Sequence, residues 1–189
     1  MITNIYILIC IGIWIYIHFI ADDDYYATAM RLGAMYPEKV SNDHEYWRIF
    51  TCNFIHVDFL HLFMNVYCIY SLGHYFEMIM TEPVYLALLI VCMLSTGFIV
   101  YASSFYFESA RHALTLGASG VFFGYLGAMI ALGLFAGGYF TTMLTSNIYA
   151  IIINLGATFF IPHISKSGHL GGMLGGYLFI FFLYLIHYI

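Results

Sequence analysis

One hydroxyl sits among small residues at Leu116-Gly117-Ala118-Ser119-Gly120, and the chain runs from it straight into a long apolar stretch. Gly117 and Gly120 let the backbone turn sharply there and let other groups approach the hydroxyl closely. Ser119 falls at or near a helix N-terminus, where unpaired backbone N–H groups can stabilise an oxyanion. Serine is also a preferred helix N-cap. Taken alone, the turn admits two roles, cap or nucleophile. The polar residues in the other apolar stretches weigh between them.

Of the 189 residues, 63% are hydrophobic and 8% charged, against about 25% charged in soluble domains. Most of the chain therefore belongs in lipid. Hydropathy predicts an all-α membrane protein with six spans, at about 1–20, 59–80, 84–102, 116–135, 140–161 and 168–189, each near the 20 or so residues that cross hydrocarbon. They leave little chain over, so residues 1–189 read as a single membrane domain. The first span has no Lys or Arg and reads as a retained helix rather than a cleaved leader. Residues 21–58 form a long polar connection rich in Tyr and Trp, expected to be partly helical and to lie at the membrane interface. A net charge of −5 argues against nucleic acid, which needs a basic footprint. Cys10, Cys52, Cys68 and Cys92 show no paired spacing and read as buried apolar thiols.

Counting crossings brings three residues to one end of the bundle. The second, fourth and sixth helices begin on the same side, and His61, Ser119 and His169 lie near their starts. Gly120, Gly124 and Gly127 in the fourth helix and Gly168, Gly172 and Gly176 in the sixth form small-residue faces that allow close packing. His169 shares its helix's glycine face, so contact between the two faces brings it toward Ser119. A serine within reach of an imidazole is the minimal activated nucleophile. His61 and Asn65 stand one turn apart on the second helix. Both can donate, to an oxyanion or simply between helices. His74 and Glu77 lie toward the far end of that helix and read as structural. His18, His112, His163 and His187 sit near span ends or in links. His56 either braces the loop or joins His61 and His169 around a metal, but there is no HExxH pattern and the only nearby carboxylate is Asp58. No metal and no soluble cofactor is expected.

These residues resemble the rhomboid family of intramembrane serine proteases. The likeness runs over the long loop and helices two to six. It rests on Trp47-Arg48, His56, His61-Leu62-Phe63-Met64-Asn65, Gly117-Ala118-Ser119-Gly120, Gly168-His169 with Gly172 and Gly176, and Glu77 twelve residues after Asn65. The resemblance implies a six-helix bundle of the minimal form. It implies a Ser119–His169 dyad with no acidic third member, and an oxyanion hole of His61, Asn65 and the Ser119 N–H. Gly117, Gly120, His56 and Phe123 would support that site. Phe123 stands where some members carry a tyrosine against the histidine; its ring can still stack, without the phenol's hydrogen bond. Substrates would be transmembrane-helix proteins whose upper turns unwind into the site, often at small side chains. The bilayer is the other partner, and the oligomeric state is left open.

The charges point the other way on orientation. Arg31, Lys39, Arg48, Arg111 and Lys166 all lie on the side where helices two, four and six begin, which the positive-inside rule assigns to the cytoplasm. The family resemblance implies a cell-membrane protein with that side non-cytoplasmic. Two other functions compete with proteolysis: a catalytically silent rhomboid-like protein that binds transmembrane helices, and a small transporter or metal handler using the histidines and Glu77.

Overall fold

The computed structural model describes residues 1–162 and 164–189; His163, in the turn before the last helix, lies outside the described residues. In chain order the elements are α1 (Ile2–Phe19), α2 (Tyr25–Leu32), α3 (Pro37–Asn42), α4 (Arg48–Thr51) with a 3-10 turn at Cys52–Phe54, α5 (Phe59–Ile79), α6 (Glu82–Ser103), α7 (Glu108–Arg111), α8 (Ser119–Phe135), α9 (Gly138–Phe160) and α10 (Lys166–Leu185). Among the described residues there is no β-strand, only an isolated bridge between Met35 and Thr115. The architecture is the all-α membrane bundle that hydropathy predicts, with a long, partly helical connection between the first two long helices.

Boundaries shift for local reasons. α6 starts two residues before the predicted Val84, because Thr81 takes the N-cap position and Pro83 fits the first turn, where its missing N–H has no helical partner to lose. α8 begins at Ser119 rather than Leu116. Gly137, between α8 and α9, and Gly138, the first residue of α9, both take positive φ and break the run of α8.

Among the described residues, length and composition qualify four helices as spans, α1, α6, α9 and α10, and a fifth if the sharply bent α4–α5 unit counts as one. The six predicted spans are thus not equivalent. α5 carries His61, Asn65, His74 and Glu77, which lower its hydropathy. α8 has 17 residues and rises only about 25 Å at 1.5 Å per residue, short of the hydrocarbon core. It tolerates that length because it is the central helix, with α5, α6, α9 and α10 packed around it. Nearly every residue from Gly120 to Gly133 is buried.

Two polar arrangements hold the rest in place. Glu77, at the end of α5, accepts from the Ile2 and Thr3 N–H groups (2.7 and 3.3 Å), two of the orphan donors at the start of α1, and from the Thr3 hydroxyl (2.7 Å). Thr3 continues to the Tyr85 hydroxyl (2.8 Å) and Tyr85 to Tyr125 of α8 (2.7 Å), so a buried hydrogen-bonded chain crosses from α1 to the central helix. In the long connection, Arg48 is 3% exposed. It donates to the Met30 and Ala34 carbonyls (2.8 and 2.7 Å), pairs with Glu45 and lies on the Trp47 ring. The connection is therefore folded against itself, and its Met35 backbone exchanges two hydrogen bonds with Thr115 just before the serine turn.

Candidate active site

Caps and one unusual torsion place the polar groups at a single end of the bundle. The Asp58 carboxylate accepts from the His61 N–H (2.8 Å) and starts α5; the Ser165 hydroxyl accepts from the Gly168 N–H (3.2 Å) and starts α10. Gly117 has φ +116°, a conformation L side chains rarely adopt, and its N–H donates to the Cys52 carbonyl (3.0 Å). A side chain there would also run into His61, whose Nε2 lies 2.8 Å from where the Cβ would be, with the Asn65 amide nitrogen at 3.6 Å. The serine turn, His61 and Asn65 are consequently in one place.

Ser119 is the first residue of α8, Ala118 holds the N-cap position, and no side chain caps the helix. The Ser119 hydroxyl is directed instead at His169, with Oγ 2.9 Å from Nε2. Ser119 remains partly exposed while His169 is buried. Phe123, one turn along α8, stacks on the imidazole with ring centres 4.0 Å apart and planes 17° from parallel. That contact holds the ring in one plane but offers it no hydrogen bond. The other ring nitrogen, Nδ1, meets the hydroxyl of Thr158 in α9 at 2.8 Å.

His169 reaches Ser119 because α8 and α10 touch backbone to backbone. A Cβ on Gly172 would collide with the Gly120 carbonyl, and one on Gly176 with the Gly124 carbonyl. Gly120 in turn has no room for a side chain beside Thr96 of α6. Gly124, Gly127, Gly172 and Gly176 of the small-residue faces read from the sequence lie at this contact, whereas Gly168 meets its own cap Ser165 and Val100 of α6 instead of α8.

His56 lies behind the turn rather than in it. Its Nε2 accepts from the Ala118 N–H (3.1 Å) and from the Asn65 amide (3.0 Å). Because a backbone N–H can only donate, Nε2 is unprotonated and the ring carries its proton on Nδ1. The same bond orients the Asn65 amide with its NH2 toward His56. His56 and His61 pack edge to face with centres 5.2 Å apart. His56 Nε2 is thus committed to the turn and both nitrogens of His169 are engaged. No cluster of three or more metal-ligating side chains occurs among the described residues.

Other histidines do local work. His18 stacks on Trp14, His74 bonds the Tyr70 carbonyl, and His112 meets Glu38 across the connection. Thr158 is the site neighbour that sequence reading missed. A threonine in an apolar helix ordinarily bonds its own helix's carbonyl, so nothing in the local sequence sets it apart.

The fold and this constellation define an intramembrane helical bundle with a serine–histidine pair at one end. A family model described as the Rhomboid domain matches residues 43–186, and the chain belongs to the rhomboid family. It is 34% identical over 134 residues to the rhomboid protease GluP of Bacillus subtilis, covering 70% of this chain and 25% of that protein. It is 34% identical over 163 residues to RHOMBOID-like protein 1 of Arabidopsis thaliana, covering 84% and 40%. RHOMBOID-like protein 7 of the same plant is 29% identical over 168 residues, 85% of this chain and 50% of that one. The chain thus spans between a quarter and a half of these relatives' lengths. It is an integral, multi-pass membrane protein.

Proposed function

We propose that this chain is an intramembrane serine endopeptidase that cuts transmembrane-helix proteins with a Ser119–His169 dyad. The observation that carries the reading is the 2.9 Å contact between Ser119 Oγ and His169 Nε2, made at a partly exposed serine whose hydroxyl caps nothing.

In this reading Ser119 Oγ attacks the scissile carbonyl carbon while its proton passes to His169 Nε2. Negative charge moves to the carbonyl oxygen. The Ser119 N–H, an N-terminal donor that no helical carbonyl satisfies, receives it together with His61 and Asn65. The imidazolium then gives its proton to the leaving amine as the C–N bond breaks, leaving an acyl ester on Ser119. Water, deprotonated by His169, attacks the ester. The product carboxyl leaves and the proton returns to Ser119 Oγ. Phe123 and Gly117 support the geometry by stacking on His169 and by making room for His61. His56 supports it by bonding the Ala118 N–H and Asn65.

The test is cleavage of a transmembrane reporter by the purified protein in detergent or lipid. Cleavage should persist in a chelator and disappear in Ser119→Ala, and a fluorophosphonate should label the wild type at Ser119. A wild type that captures reporters yet neither cuts nor labels would replace this reading with the silent helix-binding one. Removing one oxyanion donor typically costs about 10²–10³ in rate. His61→Ala and Asn65→Ala should therefore each lower kcat on that scale with little change in KM. A wild-type kcat in either would remove that residue from the oxyanion hole.

The same reading puts the site end of the bundle on the non-cytoplasmic face of a cell membrane, against the placement of the five basic residues. A membrane-impermeant maleimide applied to intact cells should then label Glu108→Cys, which is exposed at that end. Labelling only after permeabilisation would reverse the orientation.

A further inference from the structure

Thr158 is a fully buried polar side chain placed against the part of His169 that the dyad leaves unused. Its Oγ1 lies 2.8 Å from His169 Nδ1 and 3.0 Å from the Asn154 carbonyl oxygen, four residues back in α9. A threonine hydroxyl has one proton. The Asn154 carbonyl can only accept, so that proton is directed at it. Oγ1 must then accept from His169, which places the imidazole proton on Nδ1. Nε2 is left with its lone pair facing Ser119. This is the tautomer a general base needs, and among the described residues no other contact at His169 selects it: Phe123 stacks on the ring face and Ser119 can either donate or accept.

We propose that Thr158 is a positioning residue for the dyad, a neutral third member supplied by α9. The inference rests on the protease reading of Ser119 and His169. It adds that the Asn154 carbonyl, the Thr158 hydroxyl and the imidazole form one directed chain of hydrogen bonds ending at Ser119. When His169 takes the serine proton, Nδ1–H still donates to Thr158 and Thr158 to the helix carbonyl. The new charge is thereby partly spread along the chain without a carboxylate. Such polarised chains strengthen one another in a low-dielectric interior. An uncharged acceptor fixes the tautomer and ring angle but balances less charge than an aspartate, whose replacement in a serine triad costs about 10⁴ in kcat.

The experiment compares kcat and KM for reporter cleavage by wild type, Thr158→Val, Thr158→Ala and Thr158→Ser, with Ser119→Ala as the blank and thermal midpoints read alongside. A hydrogen bond to a group that becomes charged is worth a factor of about 10 to 100. Valine keeps the volume and loses the hydroxyl, so its kcat should fall by that factor with KM unchanged. Serine keeps the hydroxyl and should return kcat to within about threefold of wild type. Alanine should be as slow as valine, and the serine–alanine pair decides the question if the valine variant does not fold. Activity that follows side-chain volume, with valine fast and serine slow, overturns the proposal. So do four enzymes of equal kcat. A wild type that cuts no better than Ser119→Ala overturns the protease reading and this proposal together; equal Thr158 variants beside a silent Ser119→Ala overturn this proposal only.

Discussion

Ser119→Ala and His169→Ala are each expected to lower reporter cleavage by about 10³-fold or more, and the double variant to be no slower than either alone. The reason is geometric. The hydroxyl and the imidazole nitrogen are 2.9 Å apart; under the proposed protease reading they act as one unit, so removing either half removes the activated nucleophile. What survives comes from substrate binding and the oxyanion donors, which both single variants retain. Neither substitution should unfold the protein, since Ser119 caps nothing and truncating His169 leaves the backbone contacts of Gly172 and Gly176 with α8 in place. Single-turnover cleavage of the reporter, with thermal midpoints as the control, measures this. Two single losses that multiply in the double variant would mean that the residues act independently, and the dyad would be wrong.

The largest stability effect is expected from adding one methyl group. Gly172→Ala puts a Cβ into the Gly120 carbonyl, and the nearest atom is backbone on a helix that four neighbours surround. Neither α8 nor α10 can yield by rotating a side chain, so the helices must separate. A cost of about 3 kcal/mol, the upper part of the usual overpacking range, follows. Separation also draws His169 away from Ser119, so cleavage should fail under conditions where the variant is still folded. Gly12→Ala is the matched control. It makes the same substitution in helix α1 with no atom within 4 Å, and should be neutral or stabilise by up to about 1 kcal/mol. Reversible unfolding in mixed micelles reads both. Equal stabilities would mean that the α8–α10 contact is looser than its glycines imply.

Much of this arrangement is legible in the chain because it depends on quantities that can be counted. Hydropathy is local, so the long apolar helices are visible one at a time. Parity of crossings then places His61, Ser119 and His169 at one end without reference to packing. The glycines at intervals of three and four mark the helix faces that meet, because a missing side chain is itself the contact. What escapes is the difference among the six helices. α8 is short and α5 is polar, and both are viable because of neighbours that composition alone does not name.

The sequence by itself determined the class of the protein, the order of its helices and the residues from which a serine site can be built. Residue type and spacing along a helix are enough for that. Only the tertiary structure decided which nitrogen faces which partner. It gave His56 to the Ala118 N–H, the Ser119 hydroxyl to His169 rather than to its own helix end, and Thr158 to the far side of the imidazole. Those pairings cross between helices and depend on how each is rotated about its axis and how deeply it is seated. A rotation of a few tens of degrees, which no periodicity records, would break them all.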